Sequence, residues 1–159
     1  MRLLIIGFLL FGFQVFANPV LEEIRSKFPF INSKEQSNNY ILLLEGKEDI
    51  VSQGYLAAMY FFKSKYVKFP ITKFKYFKKG KALLNGLIDS NPTNVELNYI
   101  RYIFQHKIPK FLGYNKHKNE DFKKLIKSNF LTKDKLKLLI SLNNISISHL
   151  NNLKKLVKE

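Results

Sequence analysis

Five prolines, at positions 19, 29, 70, 92 and 109, cut this chain into segments whose apolar residues recur every three or four positions. Proline closes or opens helices, and a period near 3.6 is the mark of an amphipathic helix, so the two together point to a string of helices with well-marked joints. Asn18-Pro19 reads as an N-cap and first turn, after which Leu21, Ile24 and Phe28 repeat until Phe28-Pro29-Phe30 stops them. Ser33 and Gln36 have the spacing of a capping box, and the short apolar run Tyr40 to Leu44 ends at Gly46. The strongest helix is expected from about Glu48 to Tyr66, with Glu48 and Asp49 at its positive end and Lys63 and Lys65 at its negative end. Within it Tyr55, Met59 and Phe62, widened by Leu56, Tyr60 and Phe61, make a core face. Gly54, Ala57 and Ala58 leave room for a neighbouring helix.

Pro70 separates that helix from the next, about Thr72 to Ser90, whose buried stripe is expected to be Phe74, Phe77, Leu84, Leu87 and Ile88. Asn91-Pro92 is a joint. Thr93 and Glu96 then form the capping box of a helix running to Lys107, apolar over most of its circumference and therefore buried. After Ile108-Pro109, further helices carry Phe122, Leu125 and Ile126, then Leu136, Leu139 and Ile140, then Leu150, Leu153 and Val157. No segment alternates with period two, so strands are not expected. The fold class is all-α: six to eight helices packed as antiparallel hairpins in a single domain, residues 18–159, with a shallow solenoid curve as a variant.

Residues 1–17, MRLLIIGFLLFGFQVFA, have the layout of a secretory signal peptide: a basic start at Arg2, an apolar run from Leu3 to Phe13, and Val15-Phe16-Ala17 before the cut. The run is short for a membrane span, which needs roughly 20 residues. Cleavage after Ala17 and export to a periplasmic or secreted location are expected; an uncleaved N-terminal anchor is the alternative. There is no cysteine, which removes thiol nucleophiles, Cys-based zinc sites and a lipidated N-terminal Cys. Any membrane contact is then noncovalent.

The formal charge is +15, with 27 Lys and Arg against 12 Asp and Glu, which implies an acidic partner, an anionic surface, or only solubility. Lys-rich, Asn-rich composition suits an A/T-rich coding sequence, but that bias would enrich Glu too, and Glu is scarce. The charge is most concentrated from Lys63 to Lys81, KSKYVKFPITKFKYFKKGK, where eight lysines interleave with Tyr66, Phe69, Phe74, Tyr76 and Phe77. No acid occurs from Ile50 to Ile88. Ammonium groups beside aromatic rings suit phosphate-bearing or anionic partners. Lys73, Lys75, Lys78, Lys79 and Lys81 are the expected contacts with an anionic lipid or glycan; the alternative is an aromatic core stripe with a solvated lysine face. Export makes nucleic acid an unlikely partner.

A second pattern lies in the helix before Pro109. Asn94, Asn98, Arg101 and Gln105 share one face, and Arg101 is one of only two arginines after residue 17. Where lysine is the default, an arginine suggests that its planar fork is wanted, for a carboxylate of Glu120 or Asp121 or of a ligand. The loop Pro109-Lys110-Phe111-Leu112-Gly113-Tyr114 follows, with Gly113 free to take positive φ. Asn98, Arg101, Gln105, Phe111 and Tyr114 are the expected contacts with a protein partner, against an internal salt bridge and a structural turn.

Gly80, Leu84 and Asn91-Pro92-Thr93-Asn94, lying between two helices, resemble a tetratricopeptide repeat junction over about residues 80–103. The resemblance implies a helical scaffold that holds a protein or peptide in a groove, and no chemistry. For catalysis, His106, His117 and His149 lack metal-ligand spacing, and neither a nucleophile elbow nor a glycine-rich phosphate loop occurs. The acid pairs Glu22-Glu23, Glu48-Asp49 and Glu120-Asp121 fit helix N-termini. No metal or cofactor is expected. The leading reading is an exported noncatalytic adaptor engaging a protein partner; the alternative is a peripheral binder of anionic lipid or glycan; a small hydrolase is third.

Overall fold

A computed structural model of the protein describes residues 18–156; the expected leader and Val157 lie outside the described residues. The described residues form eight helices and no strand: α1 (Pro19–Lys27), α2 (Lys34–Leu44), α3 (Ile50–Tyr66), α4 (Pro70–Ser90), α5 (Val95–Lys107), α6 (Lys118–Lys127), α7 (Lys133–Asn143) and α8 (Ile147–Leu156). A 3₁₀ turn, Lys110–Leu112, follows α5. The all-α expectation holds, and sequence neighbours α2–α3, α3–α4 and α5–α6 pack on one another.

Local chemistry sets the joints. Asn18 and Ser33 cap α1 and α2 by accepting from the backbone N–H of Leu21 (3.3 Å) and Gln36 (3.0 Å). Gly46 and Gly113 take the positive φ, 85° and 64°, that their turns demand. Two caps differ from expectation. Asp49 stands outside α3 and accepts from the Ser52 N–H at 2.8 Å, so the helix starts at Ile50. Asn94, not Thr93, caps α5, accepting from the Leu97 N–H at 3.1 Å. A turn bonded from the Asn94 N–H to the Asn91 carbonyl puts Thr93 one residue too early. Glu96 is thereby free for another task.

That task is to tie three helices together. Arg25 of α1 donates from Nε and Nη2 to the two carboxylate oxygens of Glu96, 2.7 Å each, and the Tyr55 hydroxyl of α3 donates to the same carboxylate at 3.0 Å. Around this staple, α3 is buried continuously from Gly54 to Phe62 and α5 from Leu97 to Gln105, which makes these two helices the core. The helices approach closely where side chains are missing. A Cβ on Gly80 of α4 would stand 2.8 Å from the Ala57 carbonyl oxygen of α3, closer than atoms in van der Waals contact.

The antiparallel path alternates the joints between two ends of the molecule. The α1–α2 joint, the α3–α4 joint and the exit of α5 gather at one end. There the Tyr66 hydroxyl donates to the Ile31 carbonyl (3.2 Å) and the Lys107 ammonium to the Pro29 carbonyl (3.0 Å). These are the joints marked by Pro29, Pro70 and Pro109.

Candidate functional site

The polar line on α5 turns inward. Arg101 of α5 grips Asp121 of α6 through Nε to Oδ2 (2.8 Å) and Nη2 to Oδ1 (2.6 Å). The Gln105 amide N–H donates to Asp121 Oδ2 at 2.7 Å, while Gln105 Oε1 accepts from the His117 backbone N–H at 2.9 Å. Asn98 donates to the Asn94 carbonyl at 2.7 Å. Asn98, Arg101, Gln105 and Asp121 are all buried. Burial pushes the Asp121 carboxyl up from its ordinary range, against the Arg101 and Gln105 hydrogen bonds that favour the carboxylate. The cluster fastens the α5–α6 hairpin and its loop. Asn98, Arg101 and Gln105 are therefore not a partner-facing surface: they are buried and bond within the chain. Tyr114 is buried too, its ring 5.2 Å from that of Phe61 and 6.1 Å from that of Phe77. Of the expected protein contacts only Phe111 is on the surface, and it is 86% exposed.

The lysines expected to act as one patch also separate. At roughly 100° per residue, Lys79 and Lys81 fall on opposite flanks of α4. The ring contacts agree: Lys79 lies 4.1 Å over Tyr60, whereas Lys81 lies 6.0 Å from the rings of Phe77 and Tyr114. Lys75 and Lys78 are exposed, Lys78 beside Phe74 at 5.7 Å. Lys73 belongs to a different surface, the wall of a cavity.

That cavity, of about 890 Å³, opens at the end where the three proline joints meet. Its floor is aromatic. Phe61 and Phe62 of α3, Phe77 of α4 and Phe104 of α5 converge there, with the Phe104 ring 4.6 Å from Phe61 and 5.1 Å from Phe62. The mouth carries Phe30 (70% exposed), Phe74 (52%) and Phe111, one from each joint region, and Phe69 and Ile71 stand exposed on either side of Pro70. Phe74 was expected in the α4 core stripe. It lies at the mouth instead, with its ring reaching Phe77 at 6.1 Å. The other large apolar side chains left exposed, Leu42, Leu43, Ile50 and Ile147, are distributed over α2, α3 and α8.

The cavity's charge is of one sign. Lys65, Lys73 and Lys107 line it, and no Asp or Glu does. Among the described residues the lysines that form ion pairs are Lys27, Lys124 and Lys137, none of them here. Burial of the Lys107 stem, and then the like charge of Lys65, lower the Lys107 pKa. An anion at the mouth would oppose both by favouring the charged form. Lys107 and Phe30 lie outside the Lys63–Lys81 window and carry no expectation as contacts, and Lys65, inside it, reads from the sequence as a helix-end charge. The signal was present in the repeated pairing of proline with an aromatic or aliphatic neighbour at alternate joints.

Elsewhere the histidines take three settings. His117 faces Glu120 at 3.2 Å, His149 is exposed on α8, and His106 is half-buried against Tyr102, with ring centroids 4.7 Å apart. Among the described residues no three His, Cys, Asp or Glu side chains are placed to hold a metal ion. No protein-family model, curated protein or solved structure matches the chain.

Proposed function

We propose that this is a noncatalytic protein that attaches peripherally to anionic lipid surfaces through the end that carries the aromatic cavity. One observation carries the reading: Phe30, Phe69, Ile71, Phe74 and Phe111 are exposed near lysines that no carboxylate among the described residues partners. Apolar side chains exposed as a group mark an interaction site, and here they stand beside lysines, the pairing used at a lipid interface. No described helix is long and apolar enough to cross a membrane. Each lysine near an anionic surface contributes roughly 1 kcal/mol, so Lys65, Lys73 and Lys107, which line the cavity, add up to useful affinity that salt would screen. The reading fits the expected export route, in which leader cleavage after Ala17 delivers the chain to an outer compartment with lipid surfaces.

The test is sedimentation of the purified protein with vesicles of phosphatidylcholine alone or mixed with phosphatidylglycerol, at rising salt. Binding to the anionic vesicles only, falling as salt rises, supports the proposal. Equal binding to both compositions, or to neither, overturns it.

A further inference from the structure

We infer that the cavity receives one acyl chain of an anionic phospholipid, with the lipid's phosphate held at the mouth between Lys65, Lys73 and Lys107. The inference rests on the surface-binding reading and adds an occupant to it. Three features select that occupant. The volume, about 890 Å³, falls in the roughly 300–1,000 Å³ range of small-molecule sites, larger than a surface dimple that merely rests on a membrane.

The interior offers no spare hydrogen-bonding group. The Ser64 hydroxyl already donates to the Phe61 carbonyl at 2.8 Å and the Tyr66 hydroxyl to the Ile31 carbonyl. A peptide would have to bury unpaired N–H and C=O groups against Phe61, Phe62 and Phe104, at a cost that a hydrocarbon chain escapes. The charged groups of the wall and rim are the ammonium groups of Lys65, Lys73 and Lys107, all of one sign; Lys107 also donates to the Pro29 carbonyl, and the neutral Asn32 amide stands exposed at the edge. An occupant that is apolar along its length and anionic at one end matches this arrangement; an acidic helix or a glycan does not match the floor.

The test uses monomeric lipid, so that cavity filling is separated from adsorption to a bilayer. Isothermal titration of the purified protein is run with palmitoyl-lysophosphatidylglycerol below its micelle concentration, with the lysophosphatidylcholine analogue, and with glycerol phosphate as the head group alone. Expected are one bound lysophosphatidylglycerol per chain, weaker binding of the zwitterionic lipid, and none of glycerol phosphate. Ser64→Phe, which places a ring in the cavity, is expected to abolish monomer binding and leave vesicle adsorption in place.

A second variant keeps the test decisive if Ser64→Phe melts. Lys65→Glu with Lys107→Glu, both on exposed side chains, is expected to weaken the monomer roughly tenfold or more. Vesicle adsorption without monomer binding overturns the inference and leaves the surface reading standing. Absence of both overturns both. Monomer affinity unchanged in the folded variants also overturns the inference, since the lipid then sits elsewhere.

Discussion

Two groups of cations in this chain have opposite fates. The arginines among the described residues, Arg25 and Arg101, each close a two-point grip on a carboxylate, Glu96 and Asp121; the first joins α1 to α5 and the second joins α5 to α6. The lysines of the proline end, Lys65, Lys73 and Lys107, face an aromatic cavity with no carboxylate among its lining residues. The difference follows from side-chain chemistry. A guanidinium presents a rigid fork that satisfies a buried carboxylate, whereas an ammonium on a flexible stem keeps its charge available at a surface. Charge satisfied inside the chain builds the fold; charge left unsatisfied beside apolar side chains is available to a ligand.

The largest expected effect breaks the paired group. Arg101→Ala strands the Asp121 carboxylate inside the α5–α6 hairpin. Removing one partner of a buried pair costs about 3–5 kcal/mol, so the variant should unfold at markedly lower urea, or fail to fold at all. A melt close to wild type would show that the grip is not what fastens α6, and the contrast with the lysines would fail. Next comes the α3–α4 contact that shapes the cavity floor. Gly80→Ala drives a methyl group into the Ala57 carbonyl, and overpacking of this kind costs about 1–3 kcal/mol. Thermal melting measures it; an unchanged Tm would mean that α4 shifts at no cost.

The lysines should behave in the reverse manner. Lys65→Gln and Lys73→Gln are each expected to leave stability within about 0.5 kcal/mol of wild type. Each should nevertheless weaken attachment to phosphatidylglycerol vesicles by roughly fivefold, the equivalent of about 1 kcal/mol per lysine. Substitutions that destabilise the protein as much as they weaken attachment would place these lysines with the arginines, as structural charges.

The same contrast explains what could be read from the sequence. Joints, caps and core faces were legible because each depends on residues within a few positions of one another. Asn18, Ser33, Gly46 and Gly113 act where local chemistry places them, and the miss at Thr93 was one residue, decided by a turn that Asn94 closes. Arg101 was noticed for its rarity, and Asp121 was among the acids named for it; whether that acid or a ligand filled the fork depended on how α6 folds back, which helical period does not encode. The candidate site was the least legible. It draws Phe30, Phe74, Lys107 and Phe111 from three joints separated by tens of residues. Reading the lysine-rich window as a contiguous patch joined Lys79 to Lys81, which α4 turns apart, and overlooked Lys107, which the hairpin path brings in. Alternation of joints between two ends is the missing rule: every second joint meets, and here every second joint carries a proline beside apolar residues.

His106 supplies the smallest and sharpest check on that principle. It sits near the end of α5, its Nε2 buried without a hydrogen-bond partner and its ring edge-on to Tyr102. If unpaired charge does not belong inside this fold, the ring must stay neutral. Burial, and then the nearby charge of Lys118, lower its pKa to about 4, against about 6.5 for an unfolded histidine. A depressed folded-state pKa means that the unfolded chain takes up the proton first. The contribution is therefore complete above about pH 6.5 and is lost as the pH falls from there through 4. His106→Gln removes the titrating group, so acidification across this window should lower the wild-type melting temperature more than that of the variant. A ¹³C-detected titration of the wild-type imidazole reads the same quantity directly. A midpoint near 4 keeps His106 among the groups the fold holds neutral, whereas a midpoint at or above 6.5 would put an unpaired cation against Tyr102 and break the division between paired interior and unpaired rim.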